Sequence, residues 1–148
     1  MDNEVENILT AAGMRIDMLH EEAGGLVDEH WTYYMAESKK RQDFADKSMI
    51  YPRLRKTKTG FAIEWYRVLK WFKNHKGQWK KKTRYVSRGK TSRVNLTRYA
   101  QPWELETVNE FENRAELIRK EVTLLSNLIA AYKRLEKKST EHEASHED

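Results

Sequence analysis

The chain has 148 residues, 34% of them charged, no cysteine and a formal net charge of +5. That length suits a single domain, and without cysteine there is no disulfide framework, thiolate metal site or cysteine nucleophile. The acidic start Met1-Asp2-Asn3-Glu4 is unlike a secretory signal, and no apolar run reaches the roughly 18 residues that span a bilayer, so a soluble cytoplasmic protein with no membrane contact is expected.

Residues 3–46 read as a helical arm. Val5, Ile8, Ala12, Ile16, Leu19, Ala23, Leu26 and His30 recur at spacings of three and four, the period of one helical face. The pair Gly24-Gly25 predicts a kink or break, since each glycine costs about 1 kcal/mol against alanine inside a helix. Trp31 and Tyr34 continue the face beyond it, and Ser38-Lys39-Lys40-Arg41-Gln42 marks a solvated end.

Residues 50–98 form a basic segment in which the period changes. Residues 53–98 hold 16 Lys/Arg against one acid, Glu64, a local +15, while the rest of the chain has 12 basic and 22 acidic residues, or −10. From Phe61 to Phe72 the aromatic and β-branched residues alternate as a strand does, with apolar side chains on both faces. Asn74-His75-Lys76-Gly77 is a hairpin turn in which Gly77 takes positive φ, and three-residue and four-residue loops both fit. A second strand follows over 78–88, Gly89-Lys90 makes another turn, and 91–96 reads as a third, shorter strand. Residues 50–56 add an edge strand, where Pro52 is tolerated because it has no amide to donate to a ladder. The segment is thus an antiparallel β-meander of three to four strands.

From Pro102 the helical period returns, over 102–137. Val108, Phe111, Ala115, Ile118, Val122, Leu125, Ile129 and Tyr132 follow an unbroken heptad spacing, and Leu117, Leu124, Leu128 and Leu135 widen the apolar stripe to a second flank. A helix of about 35 residues is about 50 Å long. Residues 139–148 read as a disordered polar tail. The expected fold is α+β: a long N-terminal helix, the antiparallel meander and a long C-terminal helix, the two helices packed as an antiparallel coiled-coil-like pair. A stripe this wide serves more than one neighbour, so a homodimer is expected, with Phe111, Ile118, Val122, Leu125, Ile129 and Tyr132 as the dimer or partner helix.

Three patterns hint at catalysis and fail on their surroundings. His142-Glu143-Ala144-Ser145-His146 matches the HExxH of zinc proteases, but it lies in the polar tail without the apolar neighbours of a buried helix. Gly89-Lys90-Thr91 resembles the end of a phosphate-binding loop, yet Arg84 stands where the loop's first glycine belongs. A tyrosine nucleophile acting on DNA needs a metal-binding histidine cluster, and His20, His30 and His75 lack such a spacing. No catalytic residue, metal or cofactor is expected, and the chain does not read as an enzyme.

A basic field of this density suits a polyanion, because each Lys or Arg at a phosphate releases a condensed counterion. The candidates are Arg53, Arg55, Lys56 and Lys58 in one cluster, Lys73, Lys76, Lys80, Lys81, Lys82 and Arg84 across the first hairpin, and Arg88, Lys90 and Arg93 around the second turn. A two-stranded ribbon fits the major groove of duplex DNA, where arginine reads guanine edges and lysine neutralises phosphate. Trp71, Trp79 and Tyr85 either stack on unpaired bases or fill the sheet core, and the core is the favoured reading where aliphatics are few. Glu64 is expected to pair with a neighbouring Arg or Lys, and its acidity disfavours phosphate on its own face of the sheet.

Five strings then fall in order: Trp31-Thr32-Tyr33-Tyr34, Pro52-Arg53-Leu54-Arg55, Phe61-Ala62-Ile63-Glu64-Trp65-Tyr66-Arg67, Tyr85-Val86-Ser87-Arg88-Gly89-Lys90, and Trp103-Glu104. Together, over about residues 26–136, they resemble the MobI family of conjugative transfer proteins, found on integrative conjugative elements and conjugative plasmids. The resemblance implies an auxiliary factor acting at the origin of transfer with the relaxase, which does the nicking. It brings no catalytic residues to carry over. The expected function is recognition of origin-of-transfer duplex DNA without catalysis. Its rivals are an adaptor that binds a protein partner through its heptad helices, and an RNA- or single-strand-binding protein.

Overall fold

A computed structural model describes residues 3–86 and 92–146. Helix α1 (Asn3–Lys40) leads through a 3-10 turn at Phe44–Asp46 into strands β1 (Ile50–Lys56), β2 (Phe61–Lys73) and β3 (Trp79–Tyr85). A short helix α2 (Ser92–Tyr99), a 3-10 turn at Pro102–Glu104 and the long helix α3 (Leu105–His146) follow. The strands make one antiparallel sheet in the order β1-β2-β3. The fold is therefore α+β, with the long helices and the edge strand at Ile50–Lys56 where the residue pattern placed them.

The two long helices run antiparallel, because Arg15 early in α1 pairs with Glu121 late in α3, while Glu29 late in α1 pairs with Arg114 early in α3. Ile16, Leu19, Ala23 and Leu26 of α1 share one buried core with Val108, Phe111, Ala115, Ile118 and Val122 of α3 and with Phe61, Ile63 and Trp65 of β2. One face of the sheet, here the inner face, thus packs on the helices. Gly60 lets the β1–β2 turn sit against them: a Cβ there would stand 3.3 Å from Val122 Cγ1 and 3.6 Å from Ile16 Cγ2. Buried polar groups tie the layers together. The Trp65 indole N–H donates to Glu112 Oε1 at 2.6 Å, and Arg119 donates both to Glu112 and to the Ile63 carbonyl.

Several expectations need correction. Helix α1 is continuous through Gly24-Gly25, since Ala23, Leu26 and Val27 around the pair are buried and that packing outweighs the glycine penalty. It ends at Lys40 rather than 46. Residues 92–99 form α2, not a strand: Arg93, Leu96 and Ala100 repeat at helical spacing, and Leu96 is buried in the core. The expected Gly89-Lys90 turn lies outside the described residues. Helix α3 continues to His146, through most of the segment read as a disordered tail, where Glu141, Glu143 and Ala144 are good helix formers.

The heptad seam also has a different role from the one expected. Phe111, Ile118 and Val122 are buried in the chain's own core, Leu125 and Ile129 pack partly against it, and Tyr132 is half-buried. The first five are thus occupied within the chain's own core. The flank is what remains outside: Leu117 and Leu124 are each 70% exposed, and Leu128 and Leu135 are exposed as well.

Candidate nucleic-acid interface

Strand alternation and register decide which basic residues share a surface. Ile50, Pro52 and Leu54 of β1 face Arg67, Trp65 and Ile63 across the ladder, so they lie on the inner face; Tyr51, Arg53 and Arg55 lie on the outer one with Tyr66, Glu64 and Ala62. Between β2 and β3 the register shifts at Val68/Lys70, leaving Leu69 as an extra residue. Beyond this bulge the pairs are Lys70 with Lys82, Trp71 with Lys81, Phe72 with Lys80 and Lys73 with Trp79. A bulge of this kind bends and twists a hairpin. Residues 69–73 are all exposed, so no helix among the described residues covers the hairpin tip.

The turn at the tip is well defined. Asn74 N–H donates to the Gln78 carbonyl at 2.9 Å, which closes the three-residue loop 75–77, and Gly77 has φ +76°. The Asn74 side-chain oxygen accepts from the amides of Lys76 and Gln78. Only a residue tolerant of positive φ suits the Gly77 position of such a loop.

Parity gives the hairpin two unlike faces. Lys70, Lys80, Lys82 and Arg84 lie on the inner side with Phe72, and Trp71, Trp79, Thr83 and Tyr85 lie on the outer side with Lys73 and Lys81. Three contacts anchor that assignment: Tyr85 meets Tyr66 edge-on, Tyr66 stacks on Tyr51, and the Lys81 ammonium sits 3.9 Å from the Tyr51 ring. Lys80, Lys81 and Lys82 are therefore not one patch. Lys81 is half-buried over Tyr51 and near Trp31, and desolvation, with the Arg53 charge second, holds its ammonium below the ordinary lysine range.

The tryptophans reverse the favoured expectation. Trp71 is 43% and Trp79 64% exposed, and Phe72 and Tyr85 are also exposed, so they do not fill a sheet core. The reason is the reach of β2, whose second half runs past the helices that cover its first half. Lys70, absent from the sequence-based candidates, stands on the inner side of the same hairpin; its signal was its place between Leu69 and Trp71 in an acid-free stretch.

The remaining candidates divide as follows. Arg53 is exposed with its guanidinium 5.1 Å from the Tyr66 ring, and Arg55 is spent on Glu64, donating to Oε1 at 2.6 Å. Glu64 also accepts from the Tyr66 hydroxyl and is buried, so the expected pairing of this acid is present and its carboxylate is covered. Lys56 and Lys58 are exposed at the far end of the sheet, at and beyond the end of β1, and Lys76 sits in the hairpin turn. Arg84 is exposed on β3. Arg93 is held on α2 by Glu116 and Asn113 of α3. Arg88 and Lys90 lie outside the described residues.

Trp31 closes the free edge of β1. Its indole N–H donates to the Pro52 carbonyl at 3.1 Å, an acceptor that an edge strand leaves open. Among the described residues no group of three or more His, Asp or Glu side chains is placed to hold a metal ion. None of the described helices is long and apolar enough to cross a membrane.

The profile of the MobI family, described as MobI protein, matches residues 19–133, which is 115 of the 148 residues. The chain belongs to the MobI family. No curated protein and no solved structure matches it significantly. The MobI match takes in the whole sheet, α2, α1 from Leu19 onward and α3 as far as Lys133. It corresponds closely to the span of the resemblance read from the strings, and it makes this a mobilisation-related protein.

Proposed function

We propose that this MobI protein is a non-catalytic DNA-binding factor that recognises the origin of transfer and assists the relaxase or another transfer protein there. The observation that carries the reading is the β2–β3 hairpin: residues 69–85 hold seven Lys/Arg and no acid, and no helix among the described residues covers the tip. Lysines on an edge strand also discourage sheet-to-sheet pairing. Edge protection alone does not account for Lys70, Lys73 and Lys76, which lie on the central strand and in the turn.

Titration against labelled duplex from the origin region of the protein's own element tests this, with an unrelated duplex of equal length at two salt concentrations. Preference for the origin duplex that survives the higher salt supports the reading. Changing Lys80 and Lys82 together to alanine is expected to weaken binding to both duplexes alike. Loss of two phosphate contacts lowers the slope of log affinity against log salt by about 2. Unchanged affinity and slope would remove the hairpin as the contact surface. Negligible DNA affinity beside tight binding to a transfer protein would favour the adaptor reading.

We further propose that the protein acts as a homodimer, joined not by the buried seam but by the outer flank of α3. Leu117, Leu124, Leu128 and Leu135 repeat along that flank at coiled-coil spacing, and burying each leucine is worth about 1.5–3 kcal/mol. Light scattering on the wild type should give twice the monomer mass, and Leu124→Asp should give the monomer mass with an unchanged helical spectrum. A wild type that stays monomeric at high concentration overturns the dimer.

A further inference from the structure

The two faces of the hairpin suit two different forms of nucleic acid. On the inner side Lys70, Lys80, Lys82 and Arg84 present charge without an aromatic platform beyond Phe72, as phosphate neutralisation requires. On the outer side Trp71 and Trp79 are diagonal neighbours across the ladder, with the Lys73 ammonium 5.1 Å from the Trp79 ring. The row continues into the body of the sheet through Tyr85 and Tyr66, where Arg53 lies over the ring. Rings alternating with cations are the arrangement that holds a single strand, bases on the rings and phosphates on the cations. A paired duplex offers no such contact, because its base faces are already stacked on one another. Glu64, the one acid of the three strands, is covered by Arg55 and the Tyr66 hydroxyl, so it does not repel a strand.

We infer that the outer face of the hairpin takes an unpaired stretch of DNA on Trp71 and Trp79 while the inner lysines hold the adjoining duplex, so that the preferred ligand is a junction of double- and single-stranded DNA. This rests on the DNA-binding reading above and names the form of DNA it acts on.

The test is fluorescence anisotropy with a labelled forked duplex, a blunt duplex and a single strand of matching sequence. The wild type is expected to bind the fork at least about tenfold more tightly than either other form, since the stacked bases add contacts that neither the duplex nor the strand alone can make together with the inner lysines. The double change Trp71→Ala and Trp79→Ala removes two exposed side chains, so an unchanged thermal melt is expected. It should lose about tenfold or more on the fork and leave blunt-duplex affinity as it was. Lys80→Ala with Lys82→Ala should weaken fork and blunt duplex together. Equal wild-type affinity for fork and blunt duplex overturns the inference while leaving DNA binding intact. So does an equal loss on both in the tryptophan variant, or a single strand bound as tightly as the fork. An RNA fork bound more tightly than its DNA counterpart overturns DNA as the ligand. Failure to bind any of these DNAs refutes the DNA-binding reading itself.

Discussion

Glu112→Ala is expected to remove about 3–5 kcal/mol of folding stability, the scale seen when one partner of a buried ion pair is deleted. The carboxylate is 2% exposed and accepts from three donors: the Trp65 indole N–H at 2.6 Å and two Arg119 nitrogens at 2.8 and 3.0 Å. Alanine leaves the indole N–H without an acceptor inside the core and Arg119 without its counter-charge. Arg119 keeps its bonds to the Ile63 carbonyl at 3.0 and 3.2 Å and is partly exposed, which moderates the loss. Against a total stability of about 5–15 kcal/mol for a domain, the change is large. Urea unfolding should show the midpoint falling by more than about 1 M. Glu112→Gln keeps an acceptor for Trp65 and should lose less. A midpoint for the alanine variant close to wild type would mean that water replaces the carboxylate, and that this network does not tie the sheet to α3.

The same residues explain what the sequence could and could not reveal. Long elements declared themselves, because eight positions at helical spacing, nearly all apolar, leave little room for another reading, and α1 and α3 stand where that spacing put them. Six residues are too few for a period to decide: 91–96 read as a short strand, while Leu96 was in fact reaching the core from a helix. The outer hairpin failed for a different reason. Both alternating sets of β2 hold apolar side chains, so the sequence says that the strand has two faces without saying how far the helices cover them. The bulge at Leu69 then reverses parity in a way no residue preference announces. Trp71 and Trp79 looked like core for that reason. Glu64 was legible because a single acid amid sixteen cations has little choice of neighbour. Its depth, and the division of Lys80, Lys81 and Lys82 between two surfaces, depended on register.

The heptad seam shows how a correct pattern can carry the wrong partner. A spacing of three and four says that a face will be buried, and it is; whether by α1, by the sheet or by a second copy is a matter of what else the chain supplies. Here α1 and β2 supply enough to enclose Val108 through Val122, which leaves the leucine flank exposed and makes it the surface proposed for a second copy.

Acid is expected to destabilise the protein through His30. The imidazole is 4% exposed, packed edge-on against Trp65 and Phe111, and its Nδ1 has no hydrogen-bond partner among the described residues. Desolvation lowers its pKa from 6.5 to about 4, so it is neutral in the fold over a range where the unfolded chain is already protonated. Above the unfolded value both states are neutral and His30 exerts no pH effect. As pH falls from 6.5 toward 4, only the unfolded state gains the proton, and stability declines by about 1.4 kcal/mol per unit to a total of about 3 kcal/mol. Other groups add their own slopes. Glu104, raised by burial, acts in the opposite sense, since its folded form takes up a proton more readily than the unfolded chain. Glu121, lowered by its bond with Arg15, loses stabilisation as pH falls. The recess beside His30 also holds Glu29, Glu110 and Arg114, which meet any charge that forms there. A difference measurement separates His30 from all of these. Phenylalanine keeps an aromatic ring against Trp65 and Phe111 without a titrating nitrogen. Urea unfolding of wild type and His30→Phe at intervals from pH 7.5 to 4 should show the two stability curves diverging below about 6.5, with the wild type falling faster. Parallel curves would show that a neighbouring carboxylate or penetrating water meets the charge, and that the buried imidazole is not what acid attacks.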